Sequence, residues 1–100
     1  MIQVGDIFVA EWGYDQTNAT FFQVVGKTAK TIKVRKIKGK EDVDGQSMTG
    51  TAVPIKNAFM GETKTKRLTN WHGVEAFRGD DSYGLVEKWD GNPVNISTYA

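Results

Sequence analysis

Apolar residues along this chain arrive in short runs separated by glycine and polar clusters. Nowhere do they recur every three or four positions over a helical length. From Ile2 to Glu11, Ile2, Val4, Phe8 and Ala10 share one parity, while Ile7 and Val9 take the other. The pattern predicts a strand covered in part on both faces, with Gly5-Asp6 marking a bulge or the strand entry. Trp12 to Asn18 brings Gly, Asp and Asn, which tolerate turn geometry. Phe21–Gly26 is the second predicted strand, 28–30 a short turn, and Thr31–Lys38 the third strand. Ile32 and Val34 face one way there, Lys33 and Arg35 the other. Arg35-Lys36 breaks the alternation before Ile37, which predicts a bulge or a strand end.

Beyond this three-strand meander, residues 39–50 are polar, charged and punctuated by glycine, and read as a long mobile loop. Pro54 marks 51–55 as an edge strand. Residues 63–69 alternate Thr with Lys or Arg like a solvent-facing strand, and 74–77 is another short one. Asp90-Gly91 is a strong hairpin signal. It predicts that 83–89 turns back into 93–99, with Val94, Ile96 and Thr98 on one face. Short strands at regular spacing in 100 residues indicate a single all-β domain over 1–100. The expected architecture is an SH3-like or related small β-barrel, that is, a rolled antiparallel sheet.

Composition narrows the chemistry. The chain has no cysteine, which removes disulfides and zinc–thiolate sites, and its single histidine, His72 beside Trp71, is expected in a turn. Ser47, Ser82 and Ser97 lie outside nucleophile motifs. The adjacent carboxylates Asp80 and Asp81, in Gly-Asp-Asp-Ser, suit a turn. No catalytic residue, metal ligand or cofactor is expected. A small enzyme with a carboxylate site at Asp80 and Asp81 is a distant third reading. Met1–Asp6 lacks a basic region leading into an apolar run, and no apolar stretch approaches about 18 residues. The expectation is a cytoplasmic protein without membrane association.

Net charge is only +1, yet its distribution is uneven. Lys27, Lys30, Lys33, Arg35, Lys36, Lys38 and Lys40 follow one another without an acidic residue, and Glu41, Asp42 and Asp44 come directly after. One reading makes Lys30, Lys33, Arg35, Lys36, Lys38 and Lys40 phosphate contacts, with Lys64, Lys66 and Arg67 assisting. Trp12, Tyr14 or Trp71 would then stack on unpaired bases. The other reading makes the lysines protection for an edge strand. The corner Trp12, Tyr14, Asp15, Gln16 and Asn18 also carries two readings. It is a recognition surface for a protein partner, or a strand connection whose Asp and Asn bond their own backbone.

Tyr14-Asp15-Gln16-Thr17-Asn18, Phe21-Phe22-Gln23-Val24-Val25, Tyr83-Gly84, Trp89-Asp90-Gly91-Asn92-Pro93 and Thr98-Tyr99-Ala100 stand in an order that resembles a group of small uncharacterised proteins of bacterial phages, prophages and plasmids. The resemblance covers both ends of the chain and leaves 38–79 unmatched. It implies a mobile genetic element in a bacterial cytoplasm and carries over no catalytic residue. The first functional expectation is therefore a non-enzymatic module that binds a host protein through the Trp12–Asn18 corner. The alternative is a nucleic-acid-binding small β-barrel using the 27–40 stretch.

Overall fold

The computed structural model describes residues 2–13, 16–79 and 83–97. These form eight strands: β1 (Ile7–Trp12), β2 (Asn18–Lys27), β3 (Thr31–Asp44), β4 (Thr49–Arg67), β5 (Thr69–Trp71), β6 (Val74–Arg78), β7 (Leu85–Lys88) and β8 (Val94–Ser97). They lie in one antiparallel sheet in the order β5-β6-β7-β1-β2-β3-β4-β8. The all-β class and the rolled antiparallel sheet are as the alternation predicts. The roll does not close into a barrel: among the described residues its two ends, β5 and β8, do not pair. No helix among the described residues is long and apolar enough to cross a membrane.

The β1–β2–β3 meander is continuous, with Phe8 opposite Phe22, Val9 opposite Phe21, and Phe21 opposite Ile37. Opposed residues share a face, so the two parities of β1 feed two clusters. Phe8, Ala10, Val24, Ile32, Val34, Phe77 and Val86 pack on one face of the sheet, with Ile2 beside them. Phe21, Ile37, Ala52 and Ile96 pack on the other, against Ile7, Val9, Ala19, Trp89 and Val94. The double coverage of the first strand is thus real, although Val4 itself is exposed.

β4 has 19 residues against 14 in β3, and the excess of five (19 against 14) is taken up at two bulges. One lies between the pairs Val34–Lys64 and Lys36–Met60, the other between Ile37–Phe59 and Gly39–Pro54. Each is held by a side chain. The Arg35 guanidinium donates from Nε and Nη2 to the Gly61 carbonyl at 3.2 and 2.9 Å, and lies 4.7 Å from the Phe59 ring centroid. Gln23, buried in the sheet, exchanges two hydrogen bonds of 2.8 Å with Asn57, whose backbone is left-handed at φ 68°. Bulges bend and twist a strand. Here they carry Lys64–Leu68 round toward β6, and Leu68 packs against the first cluster. The irregularity expected at Arg35-Lys36 therefore exists, but its extra residues belong to β4.

Two expectations are corrected. Residues 39–50 are not a long mobile loop: Gly39–Asp44 pairs with Thr49–Pro54, and the turn is confined to 45–48. The polarity of the segment reflects exposure on a projecting hairpin arm, not missing backbone partners. Asp90-Gly91 does not close a hairpin. β7 already has β6 on one side and β1 on the other, so β8 passes to the free edge of β4, pairing Thr49–Ala52 with Val94–Ser97. The turn itself forms, with the Asn92 amide donating to Asp90 Oδ1 at 2.9 Å and the Trp89 indole to the Asn92 carbonyl at 2.7 Å. His72 does sit in a turn. His72 and Gly73, at φ 51° and 83°, join β5 to β6 as a two-residue connection, and two positive φ values match the twist of paired strands.

A candidate binding groove of aromatic rings and lysines

The first cluster is not fully covered. Between its rim and the bent half of β4 lies a groove of about 460 Å³, within the range of small-ligand sites. Trp12 enters from the end of β1, Phe22 from β2 and Phe77 from β6. Tyr83 follows from the segment before β7. Their rings interlock edge-on, with centroids 5.7 Å apart for Trp12–Tyr83, 5.7 Å for Phe22–Tyr83 and 5.8 Å for Phe22–Phe77. These tilted contacts are the favoured aromatic geometry. Phe77 is buried, whereas Trp12, Phe22 and Tyr83 are half-buried. The Trp12 indole is oriented by its N–H, which donates to Thr20 Oγ1 at 2.8 Å.

The rim is mainly cationic. Lys36, Lys64 and Lys66 line the groove together with Met60 and Glu62. β-Pairing explains the convergence: Lys64 lies opposite Val34, Lys66 opposite Ile32 and Met60 opposite Lys36, so all project on the face of the first cluster. Lys36 Nζ donates to the Tyr83 hydroxyl at 2.9 Å and lies 5.3 Å from that ring's centroid. Lys38 lines an adjoining depression with Trp12, Tyr83 and Met60. Strand alternation puts exposed Lys40 on the same face.

The structure divides both predicted sets. Of the corner residues, Trp12 belongs to the groove. Gln16 Nε2 reaches Asn18 Oδ1 at 3.4 Å, and Thr17 between them is fastened to Ser97 through its amide (3.0 Å) and its carbonyl (3.1 Å). Tyr14 and Asp15 lie outside the described residues, as do Asp80 and Asp81. Of the basic residues, Lys36, Lys38 and Lys40 share the groove face. Lys33 and Arg35 take the opposite parity, and Arg35 is engaged with Gly61 and Phe59. Lys30 is exposed in the 28–30 turn. Tyr83, Phe22 and Met60 escape sequence reasoning as site residues. Only the pairing of β3 with β4 brings Lys64 and Lys66 beside Lys36, although their Thr-Lys alternation already marks them as one face. No protein-family model, curated protein or solved structure matches the chain.

Proposed function

We propose that the protein is a binding module for single-stranded nucleic acid and that the groove is its ligand site. The observation behind this reading is the convergence of Lys36, Lys64 and Lys66 on a floor built from Trp12, Phe22 and Tyr83. Cationic side chains that follow a backbone, next to rings that receive bases, are what non-specific single-strand binding requires. An unpaired base reaches a recessed floor; a base inside a duplex does not. Capture of a host protein by the Trp12–Asn18 corner is the weaker reading, since Gln16, Thr17 and Asn18 are bonded within the corner or to β8. The resemblance to phage and plasmid proteins gives the proposal its setting, a mobile element in a bacterial cell.

The test is a fluorescence-anisotropy titration with single-stranded DNA, RNA and duplex DNA, each at low and at physiological salt. Single strands bind more tightly than duplex, with a log–log salt slope of about −0.7 for each phosphate neutralised. Equal binding of single strand and duplex, or binding that ignores salt, sinks the reading.

A further inference from the structure

The β3–β4 hairpin gives the molecule a charge axis. β3 carries Lys33, Arg35, Lys36, Lys38 and Lys40 first, then Glu41, Asp42 and Asp44, and no basic residue occurs between Lys40 and Lys56. At about 3.3 Å per residue its 14 residues run roughly 45 Å, close to the 47 Å long axis of the molecule. The hairpin therefore spans the protein, with the lysine groove along its basic half and carboxylates at its far end.

That far end is an ordered arm. β8 adds a third strand to it at Thr49–Ala52, the Gln46 amide donates to Asp44 Oδ1 at 2.9 Å, and the Met48 amide donates to the Asp44 carbonyl at 2.9 Å. Its tip exposes two apolar side chains, Val43 (39% exposed) and Met48 (38%), beside Asp42 and Asp44; Glu41 stands further back, at the depression that Lys38 lines. The groove is the converse surface, an apolar floor bordered by ammonium groups. Within one copy the two cannot meet, because Lys36 and Asp44 are held apart on one paired strand by about 26 Å.

We propose that the arm tip of one copy docks in the groove of the next, so that the protein associates head to tail and occupies its own ligand site. The charges match, and Val43 and Met48 meet Trp12, Tyr83 and Met60. A single tip-to-groove contact leaves one tip and one groove open, so association continues until those too are filled, in a reciprocal pair, a ring or a chain of copies. It shares the groove with the proposed function and rests on that assignment of the site. A tip of this size makes an interface at the small, weak end of the range. Association is therefore expected only in concentrated protein, and it weakens as salt shortens the screening length.

Sedimentation velocity over a concentration series up to about 1 mM, a Kd typical of weak contacts, tests this at low and physiological salt. The wild-type protein gives a mass that rises with concentration and falls with salt. Asp42→Lys with Gln46→Lys reverses the tip and spares Asp44, which holds the turn through the Gln46 backbone amide. Lys64→Glu with Lys66→Glu reverses the groove. Each pair weakens self-association by on the order of tenfold or more, and an equimolar mixture of the two double variants regains it because tip and groove are again opposite in sign. A wild-type protein that stays monomeric at low salt overturns the proposal, and so does association that neither reversal changes or that mixing fails to restore. The tip-reversed protein still binds oligonucleotide, and binds it more tightly once the competing tip is gone. If no form binds oligonucleotide while the self-association pattern holds, this proposal stands and only the nucleic-acid reading falls.

Discussion

The two faces of the β1–β2–β3 ribbon begin with the same material, aromatic and β-branched residues at alternate positions, and end differently. On the Phe21–Ile37 face, β8 lays Ile96 and Val94 over the ribbon, and Trp89 closes one side with its ring 6.3 Å from that of Phe21. Small residues allow the close approach: Ala52 is buried there, and a side chain at Gly39 would stand 3.0 Å from the Phe21 ring. On the Phe8–Phe22 face, the strand that comes round to cover the cluster is the bulged half of β4, which contributes Met60, Lys64 and Lys66. Ammonium groups stay hydrated and do not seal a core, so that face keeps a groove. Whether a half-buried sheet face becomes core or site depends on the chemistry of the last strand laid over it.

Substitutions on each face put this contrast to the test. The largest effect is expected at Phe77, which is fully buried and touches both Phe8 and Phe22. Phe77→Ala should cost about 3–5 kcal/mol in urea denaturation. A loss of only a few tenths would mean that the grooved face is no core at all. Ile96→Ala on the sealed face should cost about 2–5 kcal/mol and leave oligonucleotide affinity of the remaining folded protein unchanged; a matching loss of affinity would tie the two faces together. Gln23→Ala removes the partner that holds the Asn57 bulge, which should cost about 1–3 kcal/mol. Because that bulge helps aim β4 across the groove, the variant should also weaken ligand binding.

Lys64→Ala with Lys66→Ala should change stability by about 1 kcal/mol or less at each site, while making the salt slope of single-strand binding shallower by about 0.7 for each phosphate no longer neutralised. An unaltered slope would take the lysines out of the site. The smallest effect is electrostatic. Asp44 Oδ1 accepts the Gln46 amide hydrogen, and this bond holds the carboxyl below its usual range. A depressed carboxyl contributes stability above its unfolded pKa and loses it as pH falls through the folded value. Acidification should therefore shift the Gln46 amide resonance with a midpoint below the ordinary aspartate range, and Asp44→Asn should flatten that titration.

Much of the local structure is readable along the chain. Period-two alternation identifies the meander, the opposed parities of Ile7 and Phe8 announce two covered faces, and His72-Gly73 falls in a turn. The failures are informative because each comes from a strong local signal. Asp90-Gly91 makes its turn, but a hairpin also needs a vacant edge on the preceding strand, and β7 has none. The 39–50 segment looks like a loop because it is polar, yet a projecting hairpin arm has the same composition. The Trp12–Asn18 corner is a different case: along the chain it carries two readings, recognition surface or strand connection, and only the fold turns Trp12 toward Lys36 and Tyr83 and fastens Thr17 to Ser97.

Parity, turn residues and the change from lysine to carboxylate at Lys40-Glu41 are properties of neighbouring residues, and local sterics and charge act on them wherever the chain goes. The groove has no such local cause. It depends on β4 being five residues longer than β3 (19 against 14), on Gln23 and Arg35 pinning the excess, and on β8 finding its edge on β4. Those are long-range choices among competing pairings. Only the folded sheet sets Lys64 beside Lys36 and puts the acidic tip at the far end of the same hairpin.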